Sequence, residues 1–195
     1  MGGGGKNARV TADKVRAHGG SEFEADEAAI AWTKKNAKIV ARIINEVAKK
    51  EVASPITPDT FEQARSLARH YRVVVMGGTI PGITTDTDAV LLAECLRAKR
   101  VINLSNVNGV FSDNPKKNPK AEKFGRMSYL QMIRLAGKHD TRAAGTHFVF
   151  DFVACKLIAR SKIEAHFLDG RKLGEVKKAV LGKRHSGTVI DGAND

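Results

Sequence analysis

Residues 73–94 read VVVMGGTIPGITTDTDAVLLAE, and their types and spacing suit the binding of an anion. A short β-branched run ends in Gly77 and Gly78, which closes a buried strand and opens a loop. Thr79, Thr84 and Thr85 then stand around Pro81 and Gly82, ahead of an apolar run at helical spacing. Strand, glycine turn and helix N-terminus together direct unpaired backbone N–H groups and the positive end of a helix outward. Threonine hydroxyls add donors, and Gly77, Gly78 and Gly82 let a phosphate approach the backbone closely. On this segment alone the alternative is a loop whose glycines only turn the chain and whose threonines only cap the helix.

Other chemistries lack their residues. Neither Gly137-Lys138 nor Gly182-Lys183 is followed by Ser or Thr, so there is no Walker A loop. No Ser-His-Asp or Cys-His arrangement is suggested, and no Cys/His cluster has metal-ligand spacing. Phosphoryl transfer between two nucleotides needs no nucleophilic side chain. The acceptor phosphate oxygen attacks directly, and the protein supplies positioning and charge neutralisation around a Mg²⁺-bound donor.

A second segment, residues 101–115, reads VINLSNVNGVFSDNP: an apolar strand, then Ser105-Asn106, an Asn-Gly turn at Asn108-Gly109, and a polar loop. Together the two segments resemble the amino-acid kinase superfamily, in particular the archaeal type of uridylate kinase. The resemblance runs upstream through Gly3, Gly4, Gly5, Lys6, Asn7, Ala8, Arg9 and Asp26, with Thr33 and Asn36 on the helix behind. Downstream it includes Ala144-Gly145, Asp151, the run Lys156-Leu-Ile-Ala-Arg-Ser161 and Ser186-Gly-Thr-Val-Ile190. The motifs are weak singly; their order along essentially the whole chain is the strong signal.

The resemblance implies an ATP-dependent nucleoside monophosphate kinase that turns ATP and UMP into ADP and UDP, with ATP and Mg²⁺ as cofactors. It implies a cytoplasmic homo-oligomer, a hexamer. It places Gly4, Asp26 and the loop Thr79, Ile80, Pro81, Gly82, Ile83, Thr84 and Thr85 at UMP contacts. It places Gly5, Arg9, Ser105, Asn106, Phe111 and Asn114 at ATP contacts. A carboxylate at Asp26 suits ribose hydroxyls, yet capping the helix that follows suits it equally. Arg9 suits a phosphate fork. Asp151 matches a recurrent family aspartate and also suits a helix N-cap.

The chain departs from the family in three places. Asn108 and Phe111 stand where an aspartate and a tyrosine are usual, and Asn114-Pro115 stands for Asp-Pro, with Asp113 one place earlier. Ile80 and Ile83 replace residues that are commonly polar. The family begins with a strand, a glycine loop carrying a phosphate-binding lysine, a helix and a second strand, whereas here Met1 is followed at once by Gly2. The expectation is therefore a fragment, a misplaced start or a degenerate member, and no catalytic residue is assigned. The rival readings are a catalytically dead nucleotide-binding homologue, another small-phosphate kinase such as an isopentenyl phosphate kinase, and a basic RNA-binding protein.

The elements that must position these residues alternate helix and strand, which predicts an α/β fold: a three-layer α/β/α sandwich with a mostly parallel sheet. Apolar spacing predicts helices at about 26–49, 85–98, 151–160 and 171–181, and Asp59 with Glu62 and Ser128 with Gln131 predict two further helix starts. Phe61, Ala64 and Ala68 are expected to face inward. Strands are expected at 72–76, 100–105, 163–168 and 188–190. One domain is expected over 1–195, with a partial UMP-binding lobe at 1–99 and an ATP-binding lobe at 100–195.

At 195 residues, 42% apolar and 28% charged, the chain is long enough for one sizeable core and is neither disordered nor fibrous. No apolar run approaches a membrane span, and no apolar segment follows Met1 as in a signal peptide. Cys95 and Cys155 lie among apolar residues, which predicts buried free thiols. The formal charge of +12 would suit nucleic acid or a small anion. Aromatic residues are 6%, no RNA-stacking run is present, and Lys116, Lys117, Lys120, Lys123, Lys177, Lys178 and Lys183 are spread out. Solvated surface charge is the preferred reading over RNA binding.

Overall fold

The computed structural model describes residues 1–115, 118–139 and 150–193; Lys116, Lys117 and the Ala144-Gly145 pair lie outside the described residues. The chain divides into two compact units, Met1–Leu96 and Arg97–Asp195.

In the first unit, α1 (Gly5–Ala17) packs on α2 (Glu22–Ala48), and α3 (Phe61–Leu67) on α4 (Thr85–Cys95). Helix α1 was not expected. Its buried face consists of Ala8 and Ala12, too small to register in a count of large apolar residues, and it follows a glycine run. Helix α2 starts four residues earlier than expected. Ser21 and Glu24 form a reciprocal capping box that supplies partners for the first-turn donors. Helix α3 is capped by Thr60, whose hydroxyl accepts the Gln63 N–H at 3.2 Å, rather than by Asp59. Ala64 is buried, but Ala68 is exposed instead of facing inward.

The core of this unit joins Ala37 and Ala41 of α2 to Ala53 and Val75. The expected strand 72–76 is an extended run with one parallel bridge, Ala53 to Val73, and a bond from the Gly2 N–H to the Met76 carbonyl at 2.7 Å. A Cβ on Gly77 would lie 2.6 Å from the Lys34 nitrogen and 2.8 Å from its Cα, so α2 packs directly on bare backbone there. Gly77→Ala should therefore destabilise the chain by about 1–3 kcal/mol, the scale of overpacking. A urea midpoint equal to the parent's would contradict that packing.

The second unit contains β1 (Arg100–Ser105), β2 (Arg126–Met127), α5 (Tyr129–His139), α6 (Phe152–Ser161), β3 (Glu164–Asp169), α7 (Leu173–Val180) and β4 (Thr188–Ile190). The sheet order is β1-β3-β4-β2. Pairs β1–β3 and β2–β4 are parallel, while β3–β4 is antiparallel, so the sheet is mixed and mostly parallel. Ser105 at the end of β1 lies in register with Asp169 at the end of β3. Strand β2 was not expected, because two residues carry too little pattern to read. Helix α5 opens on the Ser128–Gln131 capping pair, as the sequence predicts. Phe167 at the centre of β3 meets Phe150 edge-on, with ring centroids 5.0 Å apart. Cys155 is buried, Cys95 only half-buried, and both are free.

Candidate functional site

In the first unit, two polar side chains one turn apart on α2 hold the glycine segments together. The Thr33 hydroxyl donates to the Ile30 carbonyl at 2.6 Å and accepts the Gly78 N–H at 2.7 Å. The Asn36 amide donates to the Gly3 carbonyl at 2.8 Å and the Gly4 carbonyl at 3.3 Å. A Cβ on Gly4 would lie 2.3 Å from that of Ala8 and 3.4 Å from Thr33 Cγ2. The glycine run before α1 and the Gly77-Gly78 turn thus meet on one face of α2.

Helix α1 begins at Gly5, with φ +64°, a left-handed conformation that glycine adopts without strain. Its N-cap, Gly4, has no side chain to satisfy the first turn, and that turn contains no acidic residue. The N–H groups of Gly5, Lys6 and Asn7 have no acceptor among the described residues. Arg9, exposed and one turn further on, likewise has no hydrogen-bond or ion-pair partner for its guanidinium among them. This end of α1 is an uncompensated positive terminus.

The loop 79–85 is fixed from two sides. The Thr79 N–H and hydroxyl both donate to Asp88 of α4, at 3.1 and 2.6 Å. Asp88 is fully buried; burial pushes its carboxyl up, and the two Thr79 bonds pull it back down. The Gly82 N–H donates to Asp26 at 2.8 Å, with Gly82 at φ +83°. Asp26 is not a helix cap, since α2 begins at Glu22; its carboxylate spans from the fifth residue of α2 to the loop. Its Oδ1 keeps no partner among the described residues. The Thr84 hydroxyl is the N-cap of α4 and accepts the Thr87 N–H at 3.1 Å. The loop donors at Gly78, Thr79 and Gly82 are thus used internally, while those of Ile80 and Thr85 have no acceptor among the described residues.

Gly4, Gly5, Arg9, Asp26 and 79–85 all fall in this unit. Thr33 and Asn36 had no role assigned in the sequence, and Asp88 had no signal at all: an aspartate in a first helical turn reads as ordinary dipole compensation.

In the second unit, the Ser105 hydroxyl closes a turn on Val107 N–H at 3.1 Å, and the Ser105 carbonyl accepts the Gly170 N–H at 2.9 Å. The Asn106 carbonyl accepts from Arg171 at 3.2 Å. Arg171 also grips Asp169 at 2.6 and 2.8 Å and holds that carboxyl down at about 2. Ser105 and Asn106 stand at the carboxyl ends of parallel strands, where open α/β sheets bind ligands.

Gly109, at φ +118°, presses against Thr188, whose hydroxyl accepts the Val110 N–H at 2.8 Å. Phe111 is half-buried and bridges Lys123 in a short antiparallel pairing. The Asn114 N–H donates to Asp113 at 2.6 Å, and Asp113 also accepts from Asn118 at 2.8 Å. The Asn108 amide nitrogen reaches the Ser186 carbonyl at 3.3 Å, and its Oδ1 is buried without a partner among the described residues. Asp151 caps α6, accepting the Ala154 N–H at 2.9 Å. Among the described residues no group of three His, Cys, Asp or Glu side chains is placed to hold a metal ion.

Comparison with known proteins gives this arrangement a family. The model of the amino acid kinase family matches residues 2–169. A uridylate kinase from Archaeoglobus fulgidus is 42% identical over 188 residues, covering 96% of this chain and 82% of the relative. One from Thermococcus kodakarensis is 34% identical over 97% of this chain and 81% of its own. The crystal structure of uridylate kinase from Archaeoglobus fulgidus superposes with a TM-score of 0.82 at 39% identity, covering 96% of this chain and 81% of that one. With this match, and with the glycine run, the Gly-Gly-Thr loop and the strand-end Ser-Asn in family order, the chain belongs to the amino acid kinase family.

Proposed function

We propose that this chain is a UMP kinase, transferring the γ-phosphoryl group of ATP to the phosphate of UMP to give UDP and ADP. The observation that carries the reading is the Thr33–Asn36 clamp, which gathers the open N-terminus of α1, the Gly77-Gly78 turn and the loop 79–85 in one unit. Similarity to the archaeal uridylate kinases supports it over the full run of motifs.

In this reading the first unit is the UMP lobe. The free oxygen of Asp26 accepts from the ribose, and the Thr85 N–H at the start of α4 faces the phosphate. Because the Thr79 proton is committed to Asp88, its hydroxyl oxygen offers lone pairs to the substrate rather than a proton. Gly5, the first turn of α1 and Arg9 receive the transferring phosphoryl group, where a helix terminus and a guanidinium neutralise charge. The second unit is the ATP lobe, with Ser105, Asn106, Phe111 and Asn114 on the adenosine side. The unpartnered Asn108 Oδ1 fits an amine donor there. With no carboxylate or phenol at 108, 111 and 114, selection of the donor rests mainly on its phosphates.

Mg²⁺ carried by the triphosphate would offset the charge of its phosphates. The protein is a cytoplasmic homo-oligomer, and the exposed stripe Ile39, Val40, Ile43 and Val47 on α2 is the surface proposed for the contact between copies. No helix among the described residues is long and apolar enough to cross a membrane.

The test is calorimetric titration with UMP, dUMP, CMP and AMP, followed by assay of ADP release with each acceptor. Binding and turnover are expected with UMP above the rest. Tight UMP binding without ADP release would make the chain a nucleotide-binding homologue, and no preference among the monophosphates would overturn the substrate assignment.

A further inference from the structure

Glu164, His166 and His185 are linked end to end in the second unit. The His166 Nε2 lies 2.5 Å from the Glu164 carboxylate, and its Nδ1 lies 2.7 Å from the His185 Nε2. The His185 Nδ1 in turn accepts the Gly187 backbone N–H at 3.1 Å. That last contact fixes the direction of every proton in the chain. A backbone N–H can only donate, so the His185 Nδ1 is a lone pair and the His185 proton sits on Nε2. The His185 Nε2–H then donates to the His166 Nδ1, and the His166 Nε2–H donates to Glu164. Both rings are neutral, and each nitrogen has one assigned role.

One added proton breaks this arrangement on either ring. On the His185 Nδ1 it confronts the Gly187 N–H, donor against donor. On the His166 Nδ1 it obliges the His185 Nε2 to accept, which moves the His185 proton to Nδ1 with the same result. The turn at stake is held tightly. A Cβ on Gly187 would lie 2.2 Å from the Phe167 carbonyl oxygen, and the Ser186 N–H bonds the Glu175 carboxylate. The Ser186 carbonyl accepts from Lys123 at 2.6 Å and from the Asn108 amide at 3.3 Å. Thr188, next along, supports Val110. The 185–188 segment is therefore the support of the loop 105–111.

We propose that the Glu164–His166–His185 chain is a positioning device for the 105–111 loop, and that proton uptake by His185 loosens that loop's hold on ATP. The ATP part rests on the reading given above; the positioning part does not. The charged groups around the pair act in both directions. Glu164 of β3, itself 3.6 Å from Arg100 of β1, and Glu175 of α7 favour protonation, whereas Lys123 opposes it. Asp191, after β4, is occupied by Arg126 of β2 at 3.0 Å. Burial lowers the His185 pKa from its ordinary 6.5, and a charge on His166 would lower it further. The folded state thus prefers the neutral ring. The support it gives is complete above about pH 6.5 and is lost as pH falls below that value.

The test uses the whole ¹⁵N-labelled chain. Imidazole nitrogens, the Gly187 amide and the Asn108 side-chain amide are followed by NMR from about pH 8.5 to about pH 5, across the histidine range. ATP affinity is measured without UMP at both ends, for the parent and for His185→Gln, which keeps an acceptor but does not titrate. The expected result is a His185 proton on Nε2 at high pH and one shared midpoint for His185, Gly187 and Asn108. ATP should bind about three- to tenfold more weakly at low pH in the parent relative to the variant, the scale of one hydrogen bond. Titration of the ligand's own phosphates is common to both proteins and cancels in that ratio. Gly187 and Asn108 signals that ignore the His185 midpoint would overturn the proposal, as would a parent-to-variant ratio that does not change with pH. If the signals move together but ATP binds at neither pH, the positioning role is upheld and the ATP assignment of the loop fails instead.

Discussion

Arg9→Ala should lower kcat/KM for UDP formation by about 10²–10³-fold, or roughly 2.7–4 kcal/mol, the effect of deleting one preorganised donor to transition-state charge. The argument rests on what surrounds the residue. Arg9 is exposed, and its guanidinium has no hydrogen-bond or ion-pair partner among the described residues, so its removal leaves no buried group unsatisfied. It stands one turn inside a helix whose first N–H groups lack acceptors and whose first turn holds no acid. A dianionic phosphoryl group placed at that terminus would meet donors and a cation together, and none would need to leave another partner first. Circular dichroism and the urea midpoint of Arg9→Ala should match the parent. Arg9→Lys should recover part of the rate, because it restores the charge without the planar fork. A variant within about threefold of parental kcat/KM would move the phosphate away from α1.

The fold was legible at most places where large apolar residues or capping pairs marked an element, and illegible where small residues did the packing. Strands 100–105 and 188–190 were expected at the residues where β1 and β4 lie, and the Ser128–Gln131 pair opened α5. Helix α1 escaped because its buried face is only Ala8 and Ala12 and its start follows a glycine run. The stretch 72–76 has strand composition, yet in this chain only Val73 finds a bridge partner. The candidate site divides in the same way. Gly-Gly-Thr and Ser105-Asn106 could be read from type and order. The groups that hold them could not, because Thr33 and Asp88 act across 45 and 9 residues of sequence on backbone N–H groups. Such bonds depend on where helices pack and leave no local pattern. Asp26 shows the converse: two readings were equally open, and the start of α2 at Glu22 removes the helix cap.

Asp26→Asn should raise the KM for UMP by about ten- to a hundredfold while changing dUMP much less, so that the preference for the ribonucleotide collapses. One Asp26 oxygen accepts the Gly82 N–H at 2.8 Å, and the other has no partner among the described residues. An asparagine can keep the first bond through its amide oxygen and hold the loop 79–85 in place. Its second group is then an NH₂, a donor facing the donor protons of a ribose diol. Losing a hydrogen bond to a charged acceptor costs about 1.5–3 kcal/mol, and 1.4 kcal/mol is one power of ten in affinity, which sets the expected range. Asp26→Ala separates the two roles of the side chain. It removes the Gly82 anchor as well, so kcat should fall along with the affinity, because Gly82 and its neighbours would no longer hold their approach to the phosphate. Discrimination between UMP and dUMP that survives unchanged in Asp26→Asn would place the ribose elsewhere and leave Asp26 as an anchor for the loop alone.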